Sequence, residues 1–285
     1  MAIHKLEDYG HEQVLQAAKE AAVAALGAPR ITPGLKMETM ILTGEDLDPL
    51  VRMLEIFAGP NGQYSRFIYG DYLMGKHFME TGEPYAMLLI GAKTSPSEFA
   101  WDCGACGFAT CKEFNHYVRE NKGVGLLAYG PSCNWKVIDF GLAMSQASAA
   151  IYARNIDSRM QGSYGVAAML LGVMGEMDLV LATSIGPLKR GIWQEWYSRP
   201  EMKGSFTQAN LYEMLVAAFG FQFAGFAGDG VPLIKRTDDW FWDPYKAGKG
   251  PMPEILEVQA QVLEQASELI FEYQSKLAEK RDDGE

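Results

Sequence analysis

Asp102-Cys103-Gly104-Ala105-Cys106-Gly107-Phe108-Ala109-Thr110-Cys111, followed after a gap by Tyr129-Gly130-Pro131-Ser132-Cys133, holds all four cysteines of the chain. Their spacing is C-x2-C-x4-C-x21-C. A cubane cluster needs four soft thiolates converging on one small volume, and a tight group of cysteines with a distant fourth is how sequences supply them. Cys103, Cys106, Cys111 and Cys133 are therefore read as the ligands of one [4Fe–4S] cluster. Gly104 and Gly107 let the backbone wrap closely, so that amide N–H groups face the cluster sulfurs and help set its potential. Gly130-Pro131 reads as a rigid turn that swings Cys133 in to close the site.

Three other readings of these cysteines stay open. A four-cysteine zinc site normally uses two C-x2-C knuckles, whereas the second half here has a lone cysteine. A plant-type [2Fe–2S] centre runs C-x4-C-x2-C, the reverse order. The third is a set of unrelated core cysteines, which would not be expected to gather in this way. His116 is the only histidine near the block, and a Rieske-type centre needs two, so it reads as a surface residue. Lys112, Arg119, Lys122 and Lys136 lie close in sequence, either to offset the negative charge of a thiolate-bound cluster or as ordinary solvated surface.

The chain has 285 residues, 48% of them hydrophobic, and a net charge of −11. That length supports one large core or two small ones sharing an interface. The acidic balance argues against nucleic acid and anionic membrane as partners, because phosphate binding needs clustered Lys and Arg. Met1-Ala2-Ile3-His4-Lys5-Leu6-Glu7-Asp8 carries charge where a signal peptide needs an apolar run. The longest greasy stretch, 165–175, is roughly half of a bilayer span. A cytoplasmic location is expected, with thiols kept reduced and free to bind metal.

Outward from the cysteines, periodicity and punctuation predict the elements. A helix over 10–26 carries Val14, Ala17, Ala18, Ala21, Ala22 and Ala25 on one stripe and stops at Gly27 and Pro29. A strand over 36–42 precedes a helix opened by Asp48 as N-cap with Pro49 in first position, and closed by Gly59-Pro60. Helix follows over 66–80, then a buried strand over 85–90. Beyond the cysteine segment, 101–131, come a helix rich in small residues (135–154), a helix (162–174), a strand (179–183) and a helix (209–219). An aromatic, Gly-rich loop region spans 221–245. Ile255, Val258, Val262, Ala266, Leu269, Tyr273 and Leu277 recur three or four residues apart in 253–280, an amphipathic helix. The expected organisation is an N-terminal α/β half (1–100), a cluster segment (101–140), a second α/β half (141–250) and a C-terminal helix (251–285), of α+β class.

The cysteine block, with Thr110-Cys111-Lys112-Glu113-Phe114, Gly130-Pro131-Ser132-Cys133, Lys136-Val137-Ile138-Asp139, Gly141, Asn155, Asp157, Arg159 and Gly165, resembles a family of mostly anaerobe proteins described as containing a ferredoxin domain. The resemblance covers about residues 100–185. The block also resembles the CxxCGxxxC cluster domain of corrinoid iron–sulfur proteins. More distantly the chain is similar to the nitroreductase fold, which implies a nitroreductase-like α/β sandwich, a homodimer and FMN at the subunit interface. Ala28-Pro29-Arg30-Ile31-Thr32-Pro33-Gly34 sits where that fold places a loop near the flavin. Arg30 is the only arginine in the first fifty residues for an FMN phosphate, and the chain beyond about 195 exceeds the short family form.

Other motifs read as structure. Gly225-Phe226-Ala227-Gly228-Asp229-Gly230 fits neither the Walker nor the dinucleotide pattern and reads as a tight turn. Asp238-Asp239-Trp240-Phe241-Trp242-Asp243-Pro244-Tyr245 reads as core or interface packing, and Lys189-Arg190 as a surface pair. Asp46 and Asp48 read as helix-start residues. The expected function is one-electron transfer through the cluster to a redox partner protein, in a homodimer or as a subunit of a larger anaerobic enzyme. With FMN bound it would be an iron–sulfur reductase. With three cysteine ligands and an open iron it would be a Lewis-acid catalyst.

Overall fold

The computed structural model describes residues 4–188, apart from 33, 63–64 and 125–127, together with 253–282. In chain order these form α1 (Leu6–Leu26), β1 (Lys36–Leu42), α2 (Asp48–Ala58), α3 (Arg66–Thr81), β2 (Ala86–Lys93), α4 (Cys111–Asn121), β3 (Gly123–Val124), β4 (Tyr129–Gly130), α5 (Asn134–Tyr152), β5 (Ser158–Gln161), α6 (Gly162–Leu171), β6 (Leu179–Ile185) and α7 (Pro253–Asp282). The predicted helix at 209–219, the loop region 221–245 with its Gly225–Gly230 and Asp238–Tyr245 motifs, and Lys189-Arg190 lie outside the described residues. The chain divides into two compact units, 1–50 with 77–193 and 51–76 with 194–285.

The first unit is built on an antiparallel sheet in the order β1-β2-β6-β5. Helices around an antiparallel sheet give the mixed α and β class expected from the sequence. β2 is one of its two inner strands and is buried along almost its whole length, as its unbroken apolar run requires. Ala86, Leu88, Ile90 and Ala92 of β2 share a core with the alanine stripe of α1 and with Phe140, Ala143, Met144, Ala147 and Ile151 of α5. The alanines let α1 and α5 approach closely, because they carry almost no side-chain volume between the helix axes. α1 begins one turn before the predicted start, where Asp8 accepts a hydrogen bond from the Lys5 amide at 2.8 Å.

α6 ends at Leu171, short of the predicted 174, because Gly172 takes a left-handed φ of 71° that closes the helix. Gly165 sits where a β-carbon would collide with the Val180 carbonyl of β6, so helix and strand touch backbone to backbone. β5, absent from the sequence reading, pairs Ser158–Gln161 against β6 and completes the sheet edge. Among the described residues no helix is long and apolar enough to cross a membrane.

In the second unit, α7 confirms the amphipathic pattern, with Ala266 and Leu269 buried and Leu263 and Phe271 exposed. Arg52 makes a bidentate ion pair with Glu272 at 3.1 and 3.0 Å. α2 departs from expectation at its start. A 3-10 turn over Gly44–Leu47 runs directly into it, and Asp48, with φ −52° and ψ −48°, is already helical and not an N-cap.

Two outcomes follow from this packing. Gly165→Ala loses roughly 1–3 kcal/mol of unfolding free energy in a denaturant titration, since the added methyl forces strand and helix apart. The Glu272 carboxyl is held down at about 2 by hydrogen bonds from Arg52 and then Lys276. A carboxyl depressed in the folded state stabilises above its ordinary value of 4.5 and loses that contribution as pH falls through about 2. Glu272→Gln therefore lowers the thermal midpoint at neutral pH, and the gap to the parent narrows as the pH is taken from 4.5 toward 2.

Candidate metal centre

The loop that leaves β2, residues 94–100, is the wall on which the cysteine segments hang. Its first residues are fixed by Asp178, which is 2% exposed and lies just before β6. The Asp178 carboxylate accepts hydrogen bonds from the Thr94 amide, the Ser95 amide and the Ser95 hydroxyl, each at 3.0 Å, and pairs with Lys122 Nζ at 2.5 Å. Its backbone amide donates to Ala92 O and its carbonyl accepts from Tyr129 N. One residue thus ties β2, the loop after it, the end of α4 and the short β3–β4 ribbon together. Farther along the loop, Lys136 is buried, donates to Pro96 O at 2.6 Å and pairs with Glu98 at 2.6 Å. Asn115 of α4 holds Ser97 through both backbone groups, at 2.8 and 2.6 Å.

The first three cysteines sit on a short loop that opens α4. Cys111 is the first residue of that helix, an element not assigned from the sequence within the cysteine segment 101–131. The signal was present as Thr110-x-x-Glu113, a capping box in which the Thr110 hydroxyl accepts from the Glu113 amide at 3.1 Å and the Glu113 carboxylate accepts from the Thr110 amide. Asp102, at a positive φ of 50°, accepts from the Cys111 amide at 2.7 Å. Gly104 and Gly107 take left-handed φ of 72° and 88°, and the Gly107 amide donates to Gly104 O. The Asn134 side chain reaches across to Ala105 O. These amides of Gly107 and Cys111 are committed to protein acceptors.

Cys133 arrives from the other side. Tyr129 and Gly130 pair with Val124 and Gly123 in the ribbon, the Gly130–Pro131 bond is cis, and the Cys133 amide donates to Thr94 O at 2.9 Å. Cys133 is buried with Phe114 and Val118 of α4, and Cys106, Phe108 and Trp135 pack against that cluster. All four cysteines are free thiols and line one small cavity together with Ser97, Phe99, Trp101 and Trp135. Ser97 Oγ donates to Cys111 Sγ at 3.7 Å.

Among the described residues no three His, Cys, Asp or Glu side chains close on a point fit for a single metal ion. The donor set suits an iron–sulfur cluster: four soft ligands beside aromatic side chains, with Cys133 buried and Cys103 exposed. Trp135 adds a further observation. Its indole N–H is buried and has no acceptor among the described residues. Leaving a donor so costs about 1–3 kcal/mol. A thiolate- and sulfide-rich group in the cavity that Trp135 lines would supply the missing acceptor.

The cations named from the sequence divide. Lys136 and Lys122 are engaged by Glu98 and Asp178, Arg119 donates to His116 Nδ1 at 3.1 Å, and Lys112 is exposed on α4. Arg30, the arginine considered for a flavin phosphate, spends its guanidinium on the carbonyls of Leu26 and Leu35. Asp178, Asp102, Asn115 and Trp135 were not singled out as site residues, and only Asp102 stood in a motif.

Residues 129–193 match the sequence family described as an uncharacterized protein containing a ferredoxin domain. The match takes in Cys133 and Asp178 and leaves the three-cysteine loop outside it. An uncharacterized protein of Archaeoglobus fulgidus is 28% identical over 182 residues, covering 64% of this chain and 91% of that protein. No solved structure matches the chain.

Asp178→Ala strands two buried amides and leaves Lys122, itself one-third exposed, without its carboxylate. It costs roughly 1–3 kcal/mol of stability for each stranded amide, read by denaturant unfolding of the chain.

Proposed function

We propose that this protein is a one-electron carrier that holds a single [4Fe–4S] cluster through Cys103, Cys106, Cys111 and Cys133 and passes electrons to a redox partner. The observation that carries the reading is the convergence of four free thiols, from two separate segments, on one cavity walled by aromatic side chains. The ferredoxin-domain match over 129–193 supports it, because such domains are iron–sulfur electron carriers. When bound, the cluster supplies a site that gains and loses one electron without a protein acid or base.

The chain's own residues do the rest. Asp178 and Lys136 hold the loop that carries Ser97, and Ser97 donates to the Cys111 sulfur. Phe114 and Val118 bury Cys133 in a low-dielectric wall, which favours the less charged state of the site. Trp135, which lines the cavity with the thiols, holds an N–H donor without an acceptor among the described residues. A hydrogen bond to cluster sulfur stabilises the added electron and raises the potential.

Protein purified without oxygen is expected to carry about four irons and four sulfides per chain with no flavin. Cys133→Ser loses most of that iron; zinc in place of iron, or iron retained in full by the serine variant, would sink the assignment. Trp135→Phe keeps the ring and deletes the donor, so the variant retains its iron while its midpoint potential, read by redox titration with electron paramagnetic resonance, moves lower.

A further inference from the structure

We propose that the groove on the outer side of Cys111 binds a small oxyanion-bearing molecule, a carboxylate or a phosphate, beside the cluster site. The groove has a volume of about 790 Å³, within the range of small-molecule sites, roughly 300–1,000 Å³. One wall is a face of α4 and the other is the loop 96–100. Ser97 and Cys111 line both this groove and the cysteine cavity, so the two share a partition. The Asn115–Ser97 hydrogen bonds clamp the walls to each other, which makes the groove a preformed feature of the unit.

Its charge runs against that of the chain. Lys112, Arg119 and Lys122 line the groove against one acid, Glu98, in a protein of net charge −11. Lys122 is neutralised by Asp178 and Glu98 by Lys136. Lys112 and Arg119 remain. Arg119 meets Glu120 at 3.5 Å, but both side chains are about two-thirds exposed (69% and 65%), and an ion pair in that setting contributes little. Lys112, His116 and Arg119 follow each other at helical spacing along α4, leading away from Cys111. Two solvated cations above a groove of this size suit a small anion. Such an anion next to a cluster ligand disfavours addition of an electron, so its binding lowers the cluster potential. The binding claim stands on the groove alone, whereas the effect on potential rests on the cluster assignment.

The test uses the full chain purified without oxygen, titrated by calorimetry at low ionic strength with inorganic pyrophosphate and, separately, citrate. Saturable one-to-one binding of at least one probe is expected. The Lys112→Glu/Arg119→Glu double variant should weaken it by at least about tenfold, equivalent to roughly 1.4 kcal/mol, with iron content unchanged. Lys112→Gln alone, a milder change on the same exposed position, should give an intermediate loss. In the parent, saturating probe should shift the midpoint potential downward.

The proposal is overturned if neither probe saturates or if the double variant binds as the parent does. A chain without iron that still binds a probe sinks the cluster assignment and leaves the groove standing. A chain with its iron and no probe binding does the reverse.

Discussion

One buried carboxylate holds the cysteine-bearing segments to the sheet. Asp178 sits where β6 begins, between the end of β2 and the β3–β4 ribbon, and its side chain satisfies two amides, a hydroxyl and an ammonium at once. A charge taken from water is tolerable only when its lone pairs are filled by well-placed donors. Here the donors belong to the loop that begins the site and to Lys122, just past α4. Satisfying the carboxylate therefore fixes the position of both, and the rest of the site is built outward from that anchor.

The loop after β2 is held by polar bonds along its length. Asp178 grips Thr94 and Ser95, Lys136 grips Pro96 and Glu98, and Asn115 grips Ser97. Each anchor comes from a different element, so displacing the loop would break several bonds together. A second buried carboxylate, on α5, works in the same way. Asp139 accepts from the Ile31 and Thr32 amides and from the Thr32 hydroxyl, and so fastens the turn after α1 to the helix that follows Cys133.

The thiols are positioned by folding, so a group that they bind would meet ligands already in place. The ordering entropy of the loop is met by the same contacts that stabilise the sheet. The aromatic side chains around the cavity, Phe99, Trp101, Trp135 and Phe108, give the site an apolar surround in a chain whose net charge is strongly negative. The cationic face of α4 next to it is a local exception to that charge.

Much of the fold was legible from the residues in order. The alanine stripe of α1, the apolar run of β2 and the stripe of α7 are periodic patterns set by residues within a few positions of each other, and the structure places them as read. The cysteine spacing likewise named its four residues from covalent order alone. α4 was missed because its capping box lies inside the cysteine block, where the thiols dominate the reading, and Asp48 was misplaced because the preceding turn already continues into the helix. The amino-acid order determined which four thiols are available as ligands and which faces are buried. That Cys133 lies beside the other three, that Asp178 holds Thr94 from 84 positions away and that Asp139 holds Thr32 from 107 were decided only by the tertiary structure. A buried polar bond between distant segments leaves no periodic trace in either one, because it is selected by the geometry of the packed chain.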